Sequence, residues 1–188
     1  MLRNGPDAFG WVTILLHWTI AILIGGLLAL GYIMTRPDID PVLQFDLFQW
    51  HKSFGFTALG LCVIRILWWL AGRHPAAVAG LSARERRASF AVHILLLCLT
   101  LAVPVTGWAL ASASTLDIPS FYFNLVVIPH LPLEKSAVAE ALWTTTHAVL
   151  AYSLAGLVLL HAGAAVHHHF IRRDAVLVRM LRNKWRDG

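Results

Sequence analysis

Four histidines stand inside long apolar runs of this chain: His17, His51, His147 and His161. An imidazole in hydrocarbon is costly unless something engages it, so these are the residues in which chemistry is to be sought. On the last run His147 and His161 are fourteen residues apart. At about 100° per residue, that spacing closes to within roughly 40° of whole helical turns and spans roughly 21 Å, so both rings leave one helix face at two depths. Pairing by depth joins His51 with His147 toward the outer side and His17 with His161 toward the inner side. Two imidazoles from different helices are what a six-coordinate haem needs, and a bundle core is where such sites are built. The porphyrin is itself apolar, which offsets the burial of its ligands. Zinc fits this arrangement poorly, because its sites gather three or four ligands at one point. The plainer alternative leaves each imidazole hydrogen-bonded within the bundle.

Arg65 repeats the spacing, fourteen residues after His51. It falls on nearly the same face but toward the inner pair, where it is expected to meet a haem propionate; a snorkelling arginine is the alternative. His93 is a third inner imidazole for two ligand positions, open between a hydrogen bond to a propionate or quinone and a simple interfacial role. At the end of the fourth run, His167, His168 and His169 can offer a hydrogen bond or a proton to a quinone carbonyl, or anchor the helix beside Arg172 and Arg173. Trp11, Trp18, Trp68, Trp69 and Trp185 read as an interfacial belt.

These residues need elements that hold them in lipid. Of 188 residues 58% are hydrophobic and 13% charged, with a mean hydropathy of +0.67, which excludes an ordinary soluble domain. A spanning helix takes roughly 20 apolar residues, and four stretches qualify, at about 11–34, 51–70, 88–111 and 143–170. The expected fold is an all-α integral membrane four-helix bundle, one domain over residues 1–188. Pro104 and the pair Gly25 and Gly26 are tolerable inside spans, where neighbouring helices satisfy freed backbone groups. The first run is long and lacks a small-residue cleavage site, so it is expected to stay as a helix. Cys62 and Cys98 lie in apolar runs and read as small hydrophobes, and no C-x-x-C-H occurs to attach a haem covalently.

Charge gives the orientation. Arg73, Arg84, Arg86 and Arg87 follow the second span, and Arg172, Arg173, Arg179, Arg182, Lys184 and Arg186 follow the fourth, so both segments, with the N-terminus and Arg3, are predicted cytoplasmic. The first connection sets Arg36 against Asp38, Asp40 and Asp46, and the third sets Lys135 against Asp117, Glu134 and Glu140; both are predicted to face outward. A pI near 9.8 is thus a topology signal, and no soluble basic face suggests nucleic acid. The third connection, about 112–142, carries Phe121, Tyr122 and Phe123 and is expected to lie along the outer interface over whatever sits beneath.

Leu16-His17-Trp18, His51-Lys52-Ser53-Phe54-Gly55, Pro104-Val105-Thr106-Gly107, Trp143-Thr144-Thr145-Thr146-His147 and His161 through His169, in that order, resemble the prokaryotic cytochrome b561 family over nearly the whole chain. The resemblance implies a multi-pass cytochrome of the bacterial inner membrane with two b haems, whose axial ligands fall on His17, His51, His147 and His161. It implies oxidation of periplasmic superoxide to dioxygen with ubiquinone as electron acceptor, and a quinone site near His168. Fold and haem ligation do not by themselves fix the donor. Outer segments that are net acidic do not favour an anion, although Lys52 and Lys135 could form a local positive mouth. The alternative is a cytochrome b subunit relaying electrons from a periplasmic dehydrogenase or hydrogenase to quinone. A small metal transporter gated by the histidine run is a third reading, and it predicts a colourless protein.

Overall fold

The computed structural model describes residues 1–78 and 80–182. Lys184, Trp185 and Arg186 lie outside the described residues. The protein is an all-α integral membrane four-helix bundle: α1 (Trp11–Met34), α2 (Pro41–Ala71), α3 (Ala83–Ala113) and α4 (Ala137–His167) are, among the described residues, long and apolar enough to cross a membrane. Their large outward side chains, such as Ile22, Leu67, Leu95 and Leu159, are exposed because lipid is their solvent. Hydroxyls on α4 are satisfied within the helix, Thr144 donating to Glu140 O, Thr146 to Leu142 O and Ser153 to Val149 O.

α1 occupies the predicted span, whereas the other helices run further. α2 begins ten residues before His51, so His51 does not open its helix as the sequence reading had it. The reason is local: Asp40 accepts from Val42 N and Leu43 N, and Pro41 takes the first helical position, where its missing N–H costs nothing. α3 starts at Ala83 behind a Ser82–Glu85 capping box, which puts Arg84, Arg86 and Arg87 on helix and not in the connection. α4 starts at Ala137 under a Ser136 cap and continues past His167 as one π-helical turn, His168–Arg172.

The corrected ends place the four histidines at two matched depths. His51 and His147 each lie ten residues from the first residue of α2 and α4, while His17 lies six residues after Trp11 and His161 six before His167. Between the two levels sits the buried core, Ile20 and Ile24 of α1, Ala58 and Cys62 of α2 and Leu154 of α4. Cys62 is a buried free thiol in this layer, as its apolar setting suggested, and Cys98 is free and exposed.

The third connection folds into a hairpin, β1 (Ser120–Tyr122) pairing antiparallel with β2 (Val126–Ile128). It seats on α2 around His51. Lys52 Nζ donates to Pro119 O at 3.1 Å, Ser53 Oγ to Phe121 O at 2.8 Å, and Phe123 N to Ser53 Oγ at 3.0 Å. Trp108 Nε1 donates to Pro129 O and Leu131 N to Ser112 Oγ, which ties the same connection to α3. At the opposite end the N-terminal segment and the segment after α4 meet the arginine-rich connection: Asn4 Nδ2 donates to Arg73 O, Ala76 N to Pro6 O, and Arg179 Nη1 to Ala76 O. Trp18 Nε1 reaches Met180 O in the tail, so this belt residue also fastens the C-terminal segment to α1.

Candidate cofactor sites

The fold brings the histidines together in pairs. His51 of α2 and His147 of α4 have ring centres 6.3 Å apart, and His17 of α1 and His161 of α4 have centres 6.2 Å apart. An imidazole nitrogen lies about 1 Å from its ring centre and metal–imidazole bonds run about 2 Å, so rings on opposite sides of one iron have centres about 6 Å apart. Both pairs meet that requirement.

The outer pair carries further marks of a ligand site. His147 Nδ1 lies 3.0 Å from Val103 O, and a carbonyl can only accept, so the ring proton is on Nδ1 and Nε2 keeps its lone pair. This is how a ligating histidine is normally oriented by a second partner. His51 Nδ1 is buried with no hydrogen-bond partner among the described residues. Glycines make room for both rings: a Cβ on Gly31 would stand 3.3 Å from His51 Cε1, and one on Gly107 would stand 3.0 Å from His147 Cε1. Sequence reasoning missed Gly31, Val103 and Gly107 as parts of the site. Of these, Gly107 had a signal, since it closes the Pro104-Val105-Thr106-Gly107 element.

The inner pair has charged and imidazole neighbours. Arg65 Nη2 lies 3.3 Å from His17 Nδ1, and no carboxylate among the described residues forms an ion pair with this half-buried guanidinium. A lone cation at this depth is expensive, so the setting suits an anionic group such as a propionate. A guanidinium only donates, so in this contact it takes the lone pair of His17 Nδ1. Were His17 to hold a haem iron through Nε2, its proton would sit on Nδ1, and Arg65 would then turn from the ring to that anion. His93 stands with its ring centre 5.1 Å from that of His161 and donates from Nδ1 to Ser89 O at 2.6 Å. It therefore joins the inner cluster from α3. Among the described residues no group of three or more His, Cys, Asp or Glu is placed to hold a metal ion.

His168 lies apart from both pairs. Its Nδ1 is 2.5 Å from Asp174 Oδ2, and the two side chains are only 19% and 17% exposed. Asp174 escaped sequence reasoning because the contact depends on Arg173 turning the chain at φ 52°, a left-handed conformation with no reliable signature in an arginine. Arg172 pairs with Glu85, which clamps the π-helical turn to α3. At the hairpin end Lys135 does not offer a free charge: its Nζ is 2.5 Å from Asp117 Oδ1, with His130 Nδ1 at 3.2 Å from the same oxygen. The Lys135 hydrogen bond and charge, then His130, hold the Asp117 carboxyl below its usual range. Of the suggested positive mouth, Lys52 alone remains without an acidic partner among the described residues.

Known proteins are similar to this chain in sequence. A family model for prokaryotic cytochrome b561 matches residues 8–183. Cytochrome b561 homolog 2 of Escherichia coli is 30% identical over 178 residues, which cover 95% of this chain and 93% of that protein. Cytochrome b561 homolog 1 of the same organism is 32% identical over 181 residues, 93% of this chain and 97% of that protein. A probable superoxide oxidase CybB of Yersinia pestis is 27% identical over 169 residues, 90% of this chain and 93% of that one. With four apolar helices and a family match along almost its whole length, the chain belongs to the prokaryotic cytochrome b561 family and is a bacterial membrane protein of electron transfer that binds b-type haem.

Proposed function

We propose that this protein is a superoxide:ubiquinone oxidoreductase of the bacterial inner membrane holding two b haems, one between His51 and His147 and the other between His17 and His161. The observation that carries the reading is the presence of two imidazole pairs, each with ring centres about 6 Å apart, at two depths of one bundle. When bound, each haem supplies a one-electron ferric/ferrous couple. The overall reaction balances when two superoxide anions each lose one electron to become dioxygen, and ubiquinone takes both electrons and two protons to become ubiquinol.

The protein's own residues position, charge and protonate. His147, with Nδ1 committed to Val103 O, presents Nε2 in one orientation. Lys52 adjoins His51 and keeps its ammonium at the hairpin through Pro119 O, where it draws an anion toward the outer pair. Arg65 answers a propionate at the inner pair. His168 serves the quinone. The arginine-rich end, with both termini, lies in the cytoplasm by the positive-inside rule, and the hairpin faces the periplasm. Support for the superoxide reaction comes from the likeness to the Yersinia pestis protein named as a probable superoxide oxidase.

The test is ubiquinone reduction by a superoxide source outside liposomes that contain the purified protein alone. Quinol formation that superoxide dismutase suppresses is expected; no superoxide-dependent quinol removes the reading. Lys52→Gln is expected to lower the second-order rate with superoxide by about tenfold at low salt, a difference that shrinks as salt is raised. Arg65→Leu is expected to lower the midpoint potential of the inner haem alone in a redox titration, because the lost cation had favoured the more negative ferrous state.

A second reading is favoured by one observation. Lys135 is neutralised by Asp117, so the outer face leaves little positive charge to collect a small anion. A cytochrome b subunit fed by a periplasmic dehydrogenase or hydrogenase needs no such charge. That reading requires an iron–sulfur partner to co-purify from the native membrane and to restore quinone reduction.

A further inference from the structure

Beyond α4 the chain closes on itself in a way that electron transfer between the two levels does not require. Its turn from His168 to Arg172 is π-helical, Arg173 reverses the chain, and Asp174 returns to hydrogen-bond with its backbone N to His168 O at 3.2 Å. The Asp174 carboxylate is fully engaged. Oδ2 meets His168 Nδ1 at 2.5 Å, and Oδ1 accepts from Val176 N at 3.0 Å. Glu85 of α3 braces the same turn by its pair with Arg172. A mostly buried carboxylate locked against one ring nitrogen is the arrangement that fixes an imidazole's tautomer in acid–base catalysis.

We infer that Asp174 is a positioning residue for quinone chemistry, holding the proton on His168 Nδ1 so that His168 Nε2 exchanges a proton with the quinone oxygen. The inference rests on the reading of His168 as the quinone's partner. In the reducing direction, Nε2 of the imidazolium gives one of the two protons that ubiquinone needs, and the ring is left neutral, with its remaining proton on Nδ1 and hydrogen-bonded to Asp174 Oδ2. In the oxidising direction, a ubiquinol hydroxyl gives its proton to the Nε2 lone pair. Only the Nδ1–H tautomer has that lone pair.

Asp174→Asn separates this role from simple bracing. Val176 N requires an oxygen, so asparagine must turn its amide NH2 toward His168 Nδ1. That donor demands the opposite tautomer, with the proton on Nε2 and no acceptor for the quinol. The size and the turn are otherwise kept. Asp174→Glu restores the carboxylate.

The experiment uses full-length, haem-loaded protein in nanodiscs without oxygen. Ubiquinol is added and the growth of the ferrous haem band is followed; two ferric irons gain one electron each, two protons are released, and ubiquinone forms. Asp174→Asn is expected to lower the maximal rate by about tenfold or more, with the half-saturating quinol concentration within about twofold of the parent, and Asp174→Glu to recover most of the rate. A second readout is independent of turnover. In nitrogen-15 spectra of histidine-labelled, reduced protein, the ring identified by its loss in His168→Gln should show the Nδ1–H tautomer in the parent and the Nε2–H tautomer in Asp174→Asn.

A parental maximal rate in Asp174→Asn, with His168→Gln slow, overturns the inference and leaves the quinone role of His168 standing. An Nε2–H tautomer in the parent overturns it as well. A parental rate in His168→Gln removes the quinone reading itself and the inference with it, so that variant tells the two failures apart.

Discussion

His161→Ala is expected to leave a red protein with about half the parental haem, and His147→Ala to do the same with loss of the other haem. Each substitution removes one imidazole from a pair whose rings stand on different helices, and on the proposed reading that imidazole would be one of the two holding its haem. The losses should be independent. The two levels are roughly 21 Å apart along α4, and Ile20, Ile24, Ala58, Cys62 and Leu154 pack between them, so collapse at one level need not reach the other. Pyridine haemochrome per chain and a reduced-minus-oxidised spectrum check both variants. If either substitution empties the protein, or if both remove the same haem, the assignment of ligands by depth is wrong. His17→Ala is the poorer test, because His93 already stands 5.1 Å from His161, ring centre to ring centre, and is placed to take over the vacant position.

What the sequence disclosed and what it hid divide along a physical line. Apolar length disclosed the spans, and the fourteen-residue interval on α4 disclosed two depths, because both follow from helix geometry alone. The starts of α2, α3 and α4 were hidden. Asp40-Pro41 and Ser82 with Glu85 are capping signals, but they lie outside the apolar stretches on which a hydropathy reading depends. The contacts of the site were also hidden. Val103 O meets His147 across forty-four positions, and Asp174 meets His168 only because Arg173 adopts a left-handed turn. Lys135 looked available as a charge until the folding of the third connection placed Asp117 against it. For these contacts the missing information was tertiary, and no periodicity encodes it.

Gly107→Val is expected to abolish most binding at the outer haem while leaving the inner one intact, and it is the sharper test because it changes no ligand. A Cβ at this position would stand 3.0 Å from His147 Cε1 and 3.3 Å from His147 Nδ1. The ring cannot retreat freely, since Nδ1 is hydrogen-bonded to Val103 O on the same helix as the glycine, and Thr106 Oγ1 lies 3.3 Å from Nδ1. Overpacking of a fixed site typically costs about 1–3 kcal/mol, which corresponds to a loss of about fivefold to about 160-fold in affinity if it falls wholly on the bound form. Gly25→Val supplies the control, because a Cβ there meets nothing within 4 Å. Gly107→Ala should fall between, its single methyl asking the ring to give by only a few tenths of an ångström. Haem per chain, measured as for the histidine variants, should therefore fall from Gly25→Val through Gly107→Ala to Gly107→Val, with the surviving spectrum matching that of His147→Ala. A full complement in Gly107→Val would mean that His147 is not held where it must be to ligate. The close fit of helix α3 against its ring would then be packing and nothing more.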